Sequence, residues 1–177
     1  AQIRDNPLVE ITPIGRTVGD RELEIIRVGR PDAPHRVLLR ARSHPWEPGG
    51  NWVLQGMIRH LLGDDEQIRP YLDTYCIYVV PMANKDGVAL GHTRFNLFGA
   101  DLNRKWDQPA DPRYAPENHA LERWIETMIG KEKRPHLAID FHNDNSGRLH
   151  ISRPNIDLEE YLGRMKKFEQ LMIQHTW

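Results

Sequence analysis

The sequence predicts an α/β layered domain built on a largely parallel or mixed sheet. Three observations carry this. Short strand-like apolar runs alternate with helix-like amphipathic segments along the chain. One run, Tyr75 to Val80, is apolar enough to be buried on both faces, as a strand inside a covered sheet is. The polar, histidine-bearing loops follow strand-like runs directly, where α/β sheets build their sites.

The elements follow in order. Leu23 to Val28 reads as a strand after the turn-like Gly19-Asp20, and Arg36 to Arg42 as a second, ending at the His44 loop. Gly50 to Leu62 reads as a helix whose apolar face is Val53, Met57 and Leu61, with Gly63 as its stop. Tyr75 to Val80 is the third strand, ended by Pro81. Residues 88 to 114 show no clear period. An irregular stretch of that length in a compact domain is usually functional or disordered, and this one holds Arg94, Asn103 and Arg104. A helix starts at Pro116, carries Leu121, Trp124, Ile125, Met128 and Ile129 at helical spacing, and closes at Gly130. Leu137 to Phe141 is a fourth strand, ending at His142, and Arg148 to Ser152 a fifth. The last helix opens on Asp157-x-x-Glu160 and is expected to bury Leu158, Tyr161, Leu162, Met165 and Met172.

Bulk properties narrow the function. The 177 residues suffice for one domain, and the formal net charge of -1 leaves no basic field for nucleic acid or an anionic membrane surface. No apolar run is long enough to span a bilayer, so neither nucleic acid nor membrane is an expected partner. The single cysteine, Cys76, excludes an internal disulfide framework and fits a buried thiol in the third strand. With no signal peptide after Ala1, a cytoplasmic location fits, and so does a disulfide-free exported protein. Oligomeric state is not legible.

Four short motifs in fixed order carry the chemistry: His44-Pro-Trp-Glu47, Asn84-Lys-Asp-Gly-Val88, Asp101-Leu-Asn-Arg104 and Asp140-Phe-His142. A His-x-x-Glu pair alone is weak. A second match, His119-x-x-Glu122, lies on the helix from Pro116 and reads as a solvated pair. The first is set apart by context: it follows a strand, and Pro45 with Pro48-Gly49-Gly50 fixes it in a loop where two side chains can turn to one centre. His142, distant in sequence and also at a strand end, completes a two-histidine, one-carboxylate set. Such a zinc site keeps a position open for water. Arg94 and Arg104 offer planar donor forks suited to a carboxylate or an oxyanion, and Asn103 adds an amide beside them. Read singly, each arginine is a solvent-facing charge. The other histidines have no matching partner pattern, and no phosphate-loop motif occurs.

From Ile14-Gly15-Arg-Thr-Val-Gly-Asp-Arg-Glu-Leu23 to His142, this ordered set resembles the zinc carboxypeptidases of the M14 (funnelin) family, and the form of its second and third motifs looks closest to the cytosolic-carboxypeptidase-like branch. The resemblance implies a three-layer α/β/α fold with a mixed eight-stranded sheet. It implies a zinc cofactor on His44, Glu47 and His142, and a peptide or protein C-terminus as substrate. It makes Asn103 and Arg104 the holders of the terminal carboxylate, Arg94 the oxyanion stabiliser, and Asp101 the carboxylate orienting His44. Trp46 stands where digestive members often have arginine.

One departure matters. The family carries its general base, a glutamate, on a strand well after the last ligand. The short stretch after His142 reads as a strand and a helix, where Glu159, Glu160 and Glu169 have no strand-end context. The base is therefore left unassigned. Residues 1–177 are expected to be the N-terminal portion of a single catalytic domain, with little turnover alone. A zinc N-acyl amino acid deacylase and a non-catalytic carboxylate binder remain as alternative readings.

Overall fold

The computed structural model describes residues 3–143, 150 and 157–175. By contact the chain falls into two units, Ala1–Asn143 and Asp144–Trp177. The first holds strands β1 (Val9–Arg16), β2 (Glu22–Val28), β3 (His35–Ala41), β4 (Tyr75–Val80) and β5 (Leu137–Phe141), with helices α1 (Gly49–Leu61), α2 (Arg69–Thr74), α3 (Lys85–Leu90) and α4 (Pro116–Gly130). The sheet order is β1-β2-β4-β3-β5. β1, β2 and β4 are antiparallel neighbours, whereas β3 runs parallel to both β4 and β5. The sheet is mixed, and its parallel part carries the site.

Strand alternation sorts the core into two layers. On one face Ile25, Leu38, Cys76, Tyr78 and Val80 pack with Leu121 and Met128 of α4, and Trp124 lies edge-on to Tyr78 with ring centroids 5.0 Å apart. On the other, Ile26, Val28, Leu39, Ile77 and Val79 pack with Leu54 and Ile58 of α1 and Leu72 of α2. β4 contributes to both layers, as its unbroken apolar run demands. Helices thus cover both faces of the sheet.

The structure corrects the face of α1. Its buried residues are Gly50, Leu54 and Ile58; of the expected face Val53 and Met57 are exposed, while Leu61 is half-buried against the core. The two stripes lie one residue apart on the helix. Contact at Gly50 selects the buried one, since a Cβ there would meet Phe141 Cβ at 2.7 Å and Ala41 Cβ at 3.1 Å. Three elements lay outside the sequence reading. β1 is an edge strand with no fully buried residue and an irregularity between Pro13 and Gly15, so it shows no clean alternation. α2 and α3 are six residues each, too short for a period to show.

In the second unit α5 (Leu158–His175) begins where expected, with the Glu160 N–H donating to Asp157 Oδ1 at 3.1 Å. The expected burial of its apolar face does not hold. No residue of α5 is buried; Leu158, Leu162 and Met172 are exposed, and Tyr161 and Met165 only half-buried. An amphipathic helix buries its stripe only against another element, and among the described residues its own unit supplies none. The strand expected over Arg148 to Ser152 lies outside the described residues. Among the described residues no helix is long and apolar enough to cross a membrane.

Candidate metal centre

The site forms beyond the C-terminal ends of the parallel strands. β3 stops because Arg42 takes a left-handed conformation, φ 62°. Its guanidinium holds the resulting turn, donating from Nε to the Pro45 carbonyl at 2.6 Å and from Nη1 to Asn51 Oδ1 at 3.3 Å. The Arg42 carbonyl accepts the Asn84 N–H at 3.0 Å, which docks the second motif on the first. The Glu47 N–H then closes on the His44 carbonyl at 3.2 Å, so two side chains three residues apart face one point.

His142, directly after β5, meets them there. Glu47 Oε1 lies 2.8 Å from His44 Nδ1, and Oε2 lies 2.8 Å from His142 Nδ1. The two rings are 4.9 Å apart, and one donor atom from each of the three residues lies within 4.8 Å of the others. His44 and Glu47 are buried and His142 half-buried. Burial pushes the Glu47 carboxyl up, but hydrogen bonds from His44, His142 and the Asn143 N–H outweigh it and hold the group below its ordinary value.

The outer nitrogens of both rings also face carboxylates. His44 Nε2 lies 3.1 Å from Asp101 Oδ1. His142 Nε2 lies 3.3 Å from Asp140 Oδ2, within ion-pair distance but not aligned as a hydrogen bond. A neutral His44 that donates its only ring proton to Asp101 turns a lone pair toward Glu47. Acceptor then faces acceptor, and a cation between them resolves the conflict. Two imidazole nitrogens and a carboxylate with outer carboxylates behind them suit a divalent zinc-type ion.

The remaining sequence candidates sit around this group. Asp101 Oδ2 accepts from Arg94 Nε at 2.8 Å, and Oδ1 from the Asn103 N–H at 2.9 Å. Burial raises the Asp101 carboxyl, while the Asn103 N–H, His44 and Arg94 pull it further down, so it stays ionised. Asn103 Oδ1 accepts from Trp106 Nε1 at 3.2 Å. Arg104 is exposed, donates to the Asn103 carbonyl at 2.8 Å, and lines a cavity of about 340 Å³ with Phe95, Asp101, Lys105, Tyr114 and Asn118. Its guanidinium therefore stands at the cavity, one residue beyond the Asp101 chain of bonds.

The Asn84-Lys-Asp-Gly-Val88 motif has an architectural part. Asn84 caps α3 by accepting the Gly87 N–H at 2.9 Å. Asp86 is wholly buried and accepts from Thr17 Oγ1 at 2.8 Å, the Gly19 N–H at 2.6 Å and Arg21 Nη1 at 2.6 Å. That carboxylate fastens the β1–β2 turn under the site loops. The second His-x-x-Glu match behaves differently from the expected solvated pair: Glu122 Oε2 accepts the Ala110 N–H at 2.8 Å and is half-buried.

Sequence reasoning missed a buried polar group beneath the histidines. Arg40, 4% exposed, donates from Nη1 to Asp140 Oδ2 at 3.0 Å and from Nη2 to the Leu102 carbonyl and Asn118 Oδ1. Ser43 Oγ adds a bond to Asp140 Oδ2 at 2.8 Å. The signal was present: a charge stands in the otherwise apolar run of β3.

This sheet and its donor set define an α/β protein with a candidate divalent-metal centre. The sequence model described as zinc carboxypeptidase, Peptidase_M14, matches residues 2–149, and the chain belongs to that family. It is 37% identical to Cytosolic carboxypeptidase 6 of Caenorhabditis elegans over 92% of its length, and 36% identical to human Cytosolic carboxypeptidase 4 over 77%. It spans 35% of the first protein and 12% of the second. A metallo-carboxypeptidase from Burkholderia cenocepacia superposes with a TM-score of 0.77 at 26% identity, over 95% of this chain and 47% of that one. A metallo-carboxypeptidase from Pseudomonas aeruginosa, solved with (2-guanidinoethylmercapto)succinic acid, gives 0.66 at 33% identity, over 78% and 36%. Zinc dependence is general in the family, and the His44–Glu47–His142 group could hold such an ion.

Proposed function

We propose that this chain is the metal-binding part of a zinc carboxypeptidase that removes the last residue of a peptide or protein, with His44, Glu47 and His142 as the ligands. The observation that supports this most directly is the facing of Nδ1 of both histidines on the two oxygens of Glu47, at 2.8 Å each. When bound, zinc supplies a Lewis acid and a water acidic enough to be deprotonated near neutral pH.

The chain's own residues do the rest. Asp101 accepts a hydrogen bond from the His44 Nε2–H and so keeps Nδ1 as the ligand atom. The same carboxylate holds Arg94 through Nε, leaving its Nη groups as donors for the charge that develops on the scissile carbonyl oxygen. Arg104, which lines the cavity, and its neighbour Asn103 bind the substrate's terminal carboxylate and select a free C-terminus. The general base is not among these residues. Kinship to cytosolic carboxypeptidases supports a cytoplasmic location.

The test is metal content first. After equilibration with zinc and gel filtration, elemental analysis is expected to give one zinc per chain, lost in His142→Ala. A metal-free wild-type chain would sink the reading. The protein containing the whole domain is then offered peptides and N-acyl aspartate or glutamate. Cleavage of the acyl substrates alone would replace the peptidase by a deacylase, and zinc binding with no hydrolysis would leave a carboxylate binder.

A further inference from the structure

Arg40 poses a problem that the proposed reaction does not explain. A guanidinium is among the most costly groups to bury, and an ion pair buried in a sheet is no better for stability than well-packed apolar side chains of similar volume. Yet Arg40 sits 4% exposed between Leu39 and Ala41, which are both core. Its partners show what it does. In the parallel register of β3 and β5, Arg40 lies opposite Asp140, and its Nη1 holds Asp140 Oδ2 at 3.0 Å. That same oxygen lies 3.3 Å from His142 Nε2. In the other direction, Nη2 donates to the Leu102 carbonyl at 3.1 Å and to Asn118 Oδ1 at 2.9 Å, while Asn118 Nδ2 bonds the same carbonyl at 3.2 Å. Leu102 follows Asp101, the residue on His44 Nε2. The Trp106 ring covers the guanidinium at 5.0 Å, and its Nε1 holds Asn103.

We propose that Arg40 is a positioning residue that sets both metal-ligand histidines at once, His142 through Asp140 and His44 through the Asp101–Leu102 segment. The inference rests on the ligand assignment proposed above. Three buried polar atoms lack a hydrogen-bond partner among the described residues: Arg40 Nε, Asp140 Oδ1 and His142 Nε2. All three belong to this one cluster. A purely structural ion pair would be selected to satisfy such atoms. Here Arg40 and Ser43 instead hold Asp140 Oδ2 against the His142 ring. Planarity matters too, because a guanidinium can address a carboxylate on one strand and a carbonyl on a distant loop from one rigid fork, which an ammonium cannot.

The experiment separates positioning from stability. Arg40→Lys keeps the charge and loses the fork. Arg40→Met/Asp140→Leu replaces the whole pair by apolar side chains. Zinc affinity is measured by chelator competition on folded protein, together with the visible spectrum of the cobalt-substituted form and urea unfolding without metal. The expected result is a zinc affinity about 10–100-fold weaker in both variants, the range for lost outer-shell partners of zinc ligands. The cobalt spectrum should shift, while the double variant should keep a metal-free urea midpoint near that of the wild type. Folded variants with zinc affinity within two-fold of wild type and an unchanged cobalt spectrum would overturn the inference while leaving the ligand assignment standing. A wild-type chain that holds no zinc would instead remove the ligand assignment. If Arg40→Lys fails to fold, the double variant alone decides by the same affinity criterion.

Discussion

Gly87→Ala is the sharpest test of how the second motif supports the first. Gly87 lies within α3, where alanine is normally favoured over glycine by about 1 kcal/mol. The site opposes this. A Cβ on Gly87 would stand 2.4 Å from Pro45 Cγ and 2.7 Å from Asn84 Oδ1. Carbon atoms pack at roughly 3.5–4.0 Å, so Pro45 would have to retreat by more than about 1 Å. It cannot retreat alone, because its carbonyl is held by Arg42 Nε and its neighbours on either side are His44 and Trp46, with Glu47 next. Overpacking of this kind costs about 1–3 kcal/mol, against about 1 kcal/mol of gained propensity, for a net loss of up to about 2 kcal/mol. Gly56→Ala is the matched control: mid-helix in α1, with nothing within 4 Å of the added carbon, it should gain about 0.5–1 kcal/mol. Urea unfolding followed by far-ultraviolet circular dichroism reads both, and chelator competition reads zinc affinity. Gly87→Ala should lose affinity and Gly56→Ala should not. The reasoning fails if Gly87→Ala is as stabilising as Gly56→Ala and binds zinc as wild type does.

Three further outcomes are expected. Arg42→Gly and Arg42→Ala both lose the bonds to Pro45 and Asn51, but only alanine keeps a side chain at φ 62°, so the glycine variant should be the more stable by about 1 kcal/mol in urea; equal stability would contradict the assigned strain. Burial raises the Glu117 carboxyl above its ordinary value despite bonds from Asn96 and the Val18 N–H. The native state thus keeps a proton that the unfolded chain has lost, so this group's contribution to stability falls as pH rises from the ordinary to the raised value. Glu117→Gln should flatten that part of the urea-midpoint profile, and an unchanged slope would count against it. Cys76 is wholly buried and burial pushes its thiol up, so a disulfide reagent should modify it only on unfolding; rapid labelling of native protein would show the β4 core to be open.

What could be read from residues alone divides on physical lines. β4 and α4 were legible because periodicity is a local property, and Tyr75–Val80 and Pro116–Gly130 carry it undisturbed. β1 was not, since an edge strand with Pro13 and Gly15 in it needs no alternating burial. The α1 face was placed one residue off at Val53 and Met57, though not at Leu61, because the close contact of Gly50 with Phe141 and Ala41 that turns Leu54 and Ile58 inward is a tertiary feature. His44, Glu47 and His142 were legible because loops after strands concentrate chemistry, and the structure does bring them together. Arg40 and Asp140 could be seen as charges in apolar strands, but their partnership depends on the β3–β5 register, which no local pattern encodes.

The convergence of Glu47 with His142 joins residues 95 positions apart. An ion gripped by both would act on the polypeptide as a cross-link does, removing from the unfolded ensemble the freedom of a long loop. For a covalent tie across about 100 residues that is worth some 4–5 kcal/mol in the chain-entropy model. Capture of the cation would then favour closure of the β3–β5 half of the sheet, and depletion of zinc would be felt as a loss of stability as well as of any activity.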